Sequence, residues 1–135
     1  TIGGGARSLW LTALRNNDTV AHTIGLYAVC ANSPTGYQVV RNDVTVAAGG
    51  FLRDTAMCPA GKVVLGGGSQ VIGSGSADFK TSIQETAPGT IGGGARSLWL
   101  TALRNNDTVA HTIGLYAACA NSPTGYQVIR RDVAS

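Results

Sequence analysis

Acidic residues, aromatics and long apolar runs are all scarce in this chain. Among 135 residues there is one glutamate, Glu85, and charged residues make up only 13%. Glycosidase-type chemistry needs two carboxyl groups flanking one bond, and isolated carboxylates give it no local support. The two histidines, His22 and His111, are one position of an internal repeat counted twice, so each repeat has a single imidazole. No Gly-x-Ser-x-Gly elbow surrounds a serine, and no Gly-Lys-Ser/Thr follows the glycine-rich stretch 73–76. One histidine per repeat and three separated cysteines make no tetrahedral metal set. The expectation is therefore a protein that is not an enzyme, with no catalytic residue, metal or cofactor.

The net charge of +3 is thinly spread, and the only adjacent basic pair is Arg130-Arg131. No stripe of cations can follow a phosphate backbone, which argues against a nucleic-acid partner. No apolar run approaches the length of a bilayer-crossing helix, so membrane insertion is not expected. No signal peptide is visible, and because Thr1 is not a natural start the true N-terminus is expected upstream.

What is abundant is repetition. Residues 1–44 recur as residues 90–133, a period of 89, and only three of the 44 positions differ: Val29 becomes Ala118, Val40 becomes Ile129 and Asn42 becomes Arg131. Self-similarity at a fixed period is the mark of a tandem architecture. A repeated block thus flanks a different middle block, residues 45–89. One explanation is a piece of a longer tandem array; the other is a subunit whose spare half pairs with a neighbour.

Nineteen glycines and the low charge favour a turn-rich β protein. Turn signals at Gly3-Gly4-Gly5, Asn16-Asn17-Asp18, Asn32–Gly36, Gly49-Gly50, Pro59–Gly61, Gly73–Ser76 and Pro88-Gly89 leave stretches of mostly 8–12 residues. That spacing predicts an all-β, antiparallel sandwich or prism of short strands. In Thr19–Cys30 one parity collects Val20, His22, Ile24, Leu26, Ala28 and Cys30, the pattern of a strand with one buried face. Ser8–Arg15 is read as a strand, so 7–30 becomes a hairpin, and further strands are expected at 37–46, 51–58, 62–72 and 78–86. Asn42→Arg needs solvent, yet strict alternation puts it on the face of position 40; a bulge or an exit from the core would reconcile the two.

Candidate ligand-binding residues are the recurring aromatics Trp10, Tyr27 and Tyr37 with Arg7, and their copies Trp99, Tyr116 and Tyr126 with Arg96. Aromatic faces beside Arg and Asn-rich turns can stack on and hydrogen-bond a sugar, and duplicated sites add avidity. The same rings also suit core or cross-strand packing in a protein short of aromatics. Asn17-Asp18-Thr19 and Asn106-Asp107-Thr108 have the form of N-glycosylation acceptors. Of the three cysteines, Cys58 can bond Cys30 or Cys119, leaving one thiol free or paired to another chain. The composition suits an extracellular disulfide protein, secreted or at the cell surface.

Cys58-Pro59-Ala60-Gly61-Lys62, then Leu65-Gly66-Gly67-Gly68, and later Tyr116-Ala117-Ala118-Cys119-Ala120 resemble a pattern in secreted actinobacterial and related bacterial β-rich repeat domains. There a CPAGK-x-x-LGGG opening and a Y-A-x-C-A closing strand bracket one unit. The resemblance covers about 58–120 and implies an extracellular β fold, a Cys58–Cys119 disulfide, and Cys30 as the odd thiol, free or inter-chain. It defines no activity. On this reading residues 1–44 are a closing half-repeat and 45–133 a complete unit. The functional expectation is a non-catalytic structural or adhesive repeat that self-associates by strand addition, the middle block of one subunit completing the stray block of the next, or that adjoins neighbouring repeats. The alternative is a carbohydrate-binding module with glycans as partners.

Overall fold

The computed structural model describes residues 9–12, 14–73 and 80–134. Arg7, Ala13, the first glycine triplet and the start of the strand expected at 78 lie outside them. The chain divides into two compact units, Thr1–Asn32 and Ser33–Ser135.

The second unit carries six strands: β1 (Gln38–Val46), β2 (Phe51–Met57), β3 (Lys62–Ile72), β4 (Thr81–Ile91), β5 (Arg96–Asn105) and β6 (His111–Asn121). They form two three-stranded antiparallel sheets, ordered β1-β6-β3 and β2-β5-β4. The described residues contain no α-helix. The expectations at 37–46, 51–58 and 62–72 agree with β1, β2 and β3 to within a residue. The strand expected to end at 86 instead runs to Ile91, through the Pro88-Gly89 signal. Strand β4 pairs only with β5, so it is an edge, and an edge strand tolerates a proline that has no N–H to give the ladder. The turn comes later, at 92–95, where Gly92, Gly93 and Gly94 all take positive φ.

Alternation decides which side chains are buried. On β6, Ile113, Leu115, Ala117 and Cys119 are fully buried and join Val46, Ala56, Cys58, Val64, Val71 and Leu103 in one core. Val40, Val44, Leu52 and Trp99 pack against it. Cys58 and Cys119 are disulfide-bonded, with Cα atoms 5.7 Å apart. Strand β1 keeps an unbroken register from Gln38 to Val46, so no bulge rescues Asn42. Its amide instead donates to the Thr55 carbonyl of β2 at 3.0 Å, a polar link between the edges of the two sheets. Arg131, its copy, lies in a stretch without strand structure and is exposed.

The strands do not follow the sequence blocks. Strand β1 crosses positions 44 and 45, where the expected half-repeat and complete unit meet, and takes most of its length from the first copy. Its second-copy counterpart, 127–134, forms no strand. All six strands thus fall within a single 89-residue period. The start and end of that period are neighbours: the Asn121 N–H donates to the Thr35 carbonyl at 3.0 Å.

The first unit corrects the expected hairpin over 7–30. Residues 9–12 and 14–32 form no strand. In the second copy the same sequence does form strands, but β5 and β6 belong to different sheets and are joined by a corner rather than a hairpin. Without partner strands the apolar parity has nothing to bury against: Leu26 is 68% exposed, whereas its copy Leu115 is fully buried. A lone pair of strands is at best marginal in water.

Candidate functional site

Local chemistry recurs where long-range structure does not. At the corner between β5 and β6, the Asp107 N–H donates to Asn105 Oδ1 at 2.9 Å and the Thr108 N–H to Asp107 Oδ1 at 2.7 Å. His111 Nε2 lies 2.9 Å from Asp107 Oδ2. In the first unit Asn16, Asp18, Thr19 and His22 repeat all three contacts at 2.8, 2.6 and 2.8 Å. Residues two to four apart can meet without any sheet, because Asn and Asp side chains bond the backbone just ahead of them.

Only the second copy adds distant partners. Asn105 is fully buried and its amide donates to the carbonyls of Val46 (3.4 Å), Ala47 (3.0 Å) and Val109 (2.8 Å). It thereby ties the β1–β2 turn to the β5–β6 corner. Lys80 Nζ bonds Asp107 Oδ1 at 3.0 Å. That ammonium first, then His111 and the Thr108 N–H, hold the Asp107 carboxyl well below the usual carboxylate range. In the sequence these residues read as turns and glycosylation signals, and the Asn-x-Asp-Thr-x-x-His spacing is what carries the cluster.

The candidate binding residues are dispersed. In the first unit Trp10 is 63% and Tyr27 89% exposed. In the second, Trp99 faces the interior: its Nε1 donates to Thr86 Oγ1 at 2.8 Å, and a Cβ on Gly67 would lie 2.6 Å from the Trp99 Cβ. Tyr126 is half-buried and its hydroxyl donates to the Val64 carbonyl at 2.7 Å, with burial raising its pKa. Tyr37 is exposed in the turn before β1, where its N–H donates to the Pro34 carbonyl at 3.1 Å; Tyr126 repeats that turn with Pro123. Arg96 donates to the Cys58 carbonyl at 3.2 Å, beside the disulfide.

Among the described members of the set, Tyr116 meets hydrogen-bonding neighbours on an open surface. On the outer face of the first sheet it pairs in register with Arg41 of β1 and Gly68 of β3. The Arg41 guanidinium lies 5.7 Å from the ring centroid, within cation–π range, and donates to both Asp43 carboxylate oxygens at 2.6 and 2.8 Å. The Tyr116 hydroxyl donates to Gln70 Oε1 at 3.3 Å. The ring lies over Gly114, where a Cβ would come within 3.1 Å of it, while Gly66 and Gly68 border open space. The result is a shallow glycine-floored surface walled by one ring and offering Arg, Asp and Gln groups.

A separate trough of about 590 Å³ lies outside the second sheet, bordered by Arg53, Glu85, Gly89, Leu100, Arg130 and Asp132. An Arg53–Glu85 ion pair at 3.3 Å spans it. Among the described residues, no group of three or more His, Cys, Asp or Glu converges as a metal set, and no helix is long and apolar enough to cross a membrane. No family model, curated protein or solved structure matches the chain.

Proposed function

We propose that this chain is a non-catalytic, extracellular structural or adhesive tandem-repeat module built on a β-sandwich. The observation that carries the reading is the hydrogen bond from Asn121 to Thr35. It makes one sequence period one closed strand set whose two ends meet, so Ser122, the copy of Ser33, can begin another unit with no linker. The buried disulfide suits an oxidising compartment. Each sheet leaves two edge strands, and the first unit exposes Leu11, Leu14, Ile24 and Leu26, whose copies include core residues. Unpaired edges and exposed large apolar side chains are features that natural proteins cover, here by neighbouring repeats or by strand addition between chains.

Sedimentation velocity of the full chain over a hundredfold concentration range tests this reading. Association that grows with concentration and is lost in Leu26→Asp is expected; a chain monomeric throughout overturns it. The second reading, glycan binding, is favoured by the Tyr116, Arg41 and Gln70 surface. A glycan array with Tyr116→Ala separates the two, since sugar binding that disappears in a folded variant reverses their order.

A further inference from the structure

We infer that the chain holds two interchangeable closing segments for a single set of strands, and that its own free thiol allows the disulfide to follow the exchange. The inference goes beyond the array reading, because it concerns one chain by itself. Strands β5 and β6 are the central strands of their sheets, so whichever copy fills those two places completes the fold. The structure fills them with 96–121. The first copy, 7–32, offers the same residues at every position but one. The buried set Ile113, Leu115, Ala117 and Cys119 is matched by Ile24, Leu26, Ala28 and Cys30. The one difference, Val29 for Ala118, falls on the outer face between Val39 and Gly66, and Gly66 has no side chain to crowd a larger residue.

Connectivity permits the exchange. With the first copy in the place of the second, the β1–β6 register would set Cys30 opposite Gln38, so residues 31–37, which include the positive-φ Gly36, would make the connection between these antiparallel neighbours. Strand β6 would then lead directly into β1. The chain would open instead at the 92–95 turn, whose three positive-φ glycines make it a cheap place to part. The two arrangements are circular permutations of the same six strands. They share 38–91 and differ in which closing segment is left exposed.

The cysteines report the state. Cys30 is free and exposed, whereas Cys58 and Cys119 are fully buried, so the bond changes partners only once the resident segment withdraws. The Cys30 thiolate attacks Cys58 Sγ, the Cys30–Cys58 bond forms, the Cys58–Cys119 bond breaks, and Cys119 leaves as a thiolate that takes up a proton. The count of disulfides is unchanged and no outside oxidant is needed.

Dilute full-length chain, equilibrated at mildly alkaline pH in sub-denaturing urea, then acid-quenched and mapped by peptide mass spectrometry, tests the inference. One conservative substitution, different loop closures and the Tyr126–Val64 hydrogen bond separate the isomers, differences of a few kcal/mol at most, so on the order of 1% of monomers should carry Cys30–Cys58. Cys119→Ser, equilibrated in an oxidised/reduced glutathione buffer that supplies the oxidant, should form that bond within a monomer and retain β-type circular dichroism with a cooperative melt. The double variant Cys30→Ser/Cys119→Ser should melt at lower temperature than Cys119→Ser. Wild type holding only Cys58–Cys119 at equilibrium, or Cys119→Ser with two free thiols, overturns the exchange. Cys30–Cys58 bonds found only between chains also overturn it, while supporting strand addition between subunits.

Discussion

His111 Nε2 sits 2.9 Å from Asp107 Oδ2, and the identical pair in the other copy, His22 and Asp18, sits at 2.8 Å although no strand flanks it. A turn that forms in both settings is written in its own residues. The strands on either side are not, since they appear only where β1–β4 supply partners. The Arg41–Asp43 pair at 2.6 Å behaves likewise: Arg130 and Asp132 repeat it at 2.7 Å outside any strand. One chain thus separates what short-range chemistry fixes from what the sheets must impose.

The Asp107 carboxyl gives that corner a pH dependence of definite sign. Its pKa is lowered in the folded chain from an ordinary 3.8, so the folded state binds fewer protons there than the unfolded chain. The stabilisation is complete above that ordinary value and is lost as pH falls below it toward the depressed folded value. Asp107→Asn should be less stable than wild type at pH 6, with the gap narrowing between pH 4 and pH 2. Urea denaturation at several pH values measures this, and a constant gap would contradict it.

Asn105 marks the boundary between local and distant more sharply. Both Asn16 and Asn105 donate to the carbonyl four residues on, but only Asn105 also reaches Val46 and Ala47. Asn105→Ala removes the amide that donates to the Val46, Ala47 and Val109 carbonyls, leaving Ala47 only the Gly50 N–H, and should cost about 3 kcal/mol. Asn16→Ala should leave the main chemical-denaturation transition unchanged. Equal losses from the two substitutions would show that the first copy helps hold the sheets.

Much of the sheet architecture was legible because alternation and turn residues speak directly to strands. The turn signals on either side of 37–46 announced β1, and the parity read in Thr19–Cys30 reappears, through the duplication, as the inner face of β6. What escaped was pairing. Ser97–Asn105 and His111–Asn121 look like a hairpin because a short Asn-Asp turn joins them, yet Asn105 bends the chain across to the other sheet. Nothing local distinguishes the two outcomes, nor does it tell which of two nearly identical copies will take the central places. The dispersion of the aromatics has the same origin: Trp99 and Tyr116 fall on an inner and an outer face, a matter of register that composition does not carry.

Gly67 and Gly68 are adjacent residues with opposite tolerances. A Cβ on Gly67 would run into Trp99 and the Tyr116 carbonyl, whereas one on Gly68 meets nothing within 4 Å. Gly67→Ala should destabilise by about 3 kcal/mol, since backbone and a packed indole must both shift. Gly68→Ala should stay within about 0.5 kcal/mol of wild type. Thermal melts of the two variants check the contrast, and tryptophan fluorescence should shift only for the first.

The disulfide should account for a large part of the stability of the strand set. Cys58 and Cys119 are separated by 61 residues, and closing a loop of that length removes enough unfolded-chain entropy to contribute about 4 kcal/mol. Because both sulfurs are fully buried, reductant acts only on opened molecules. Reduction in native buffer should therefore be slow and should accelerate with urea in step with unfolding, while Cys30 reacts at once with a thiol reagent. The expected labelling is one fast thiol per chain, mapped to Cys30, and two slow ones that appear together. Fast labelling of Cys58 or Cys119 under native conditions would mean that β6 leaves its place far more readily than its burial implies.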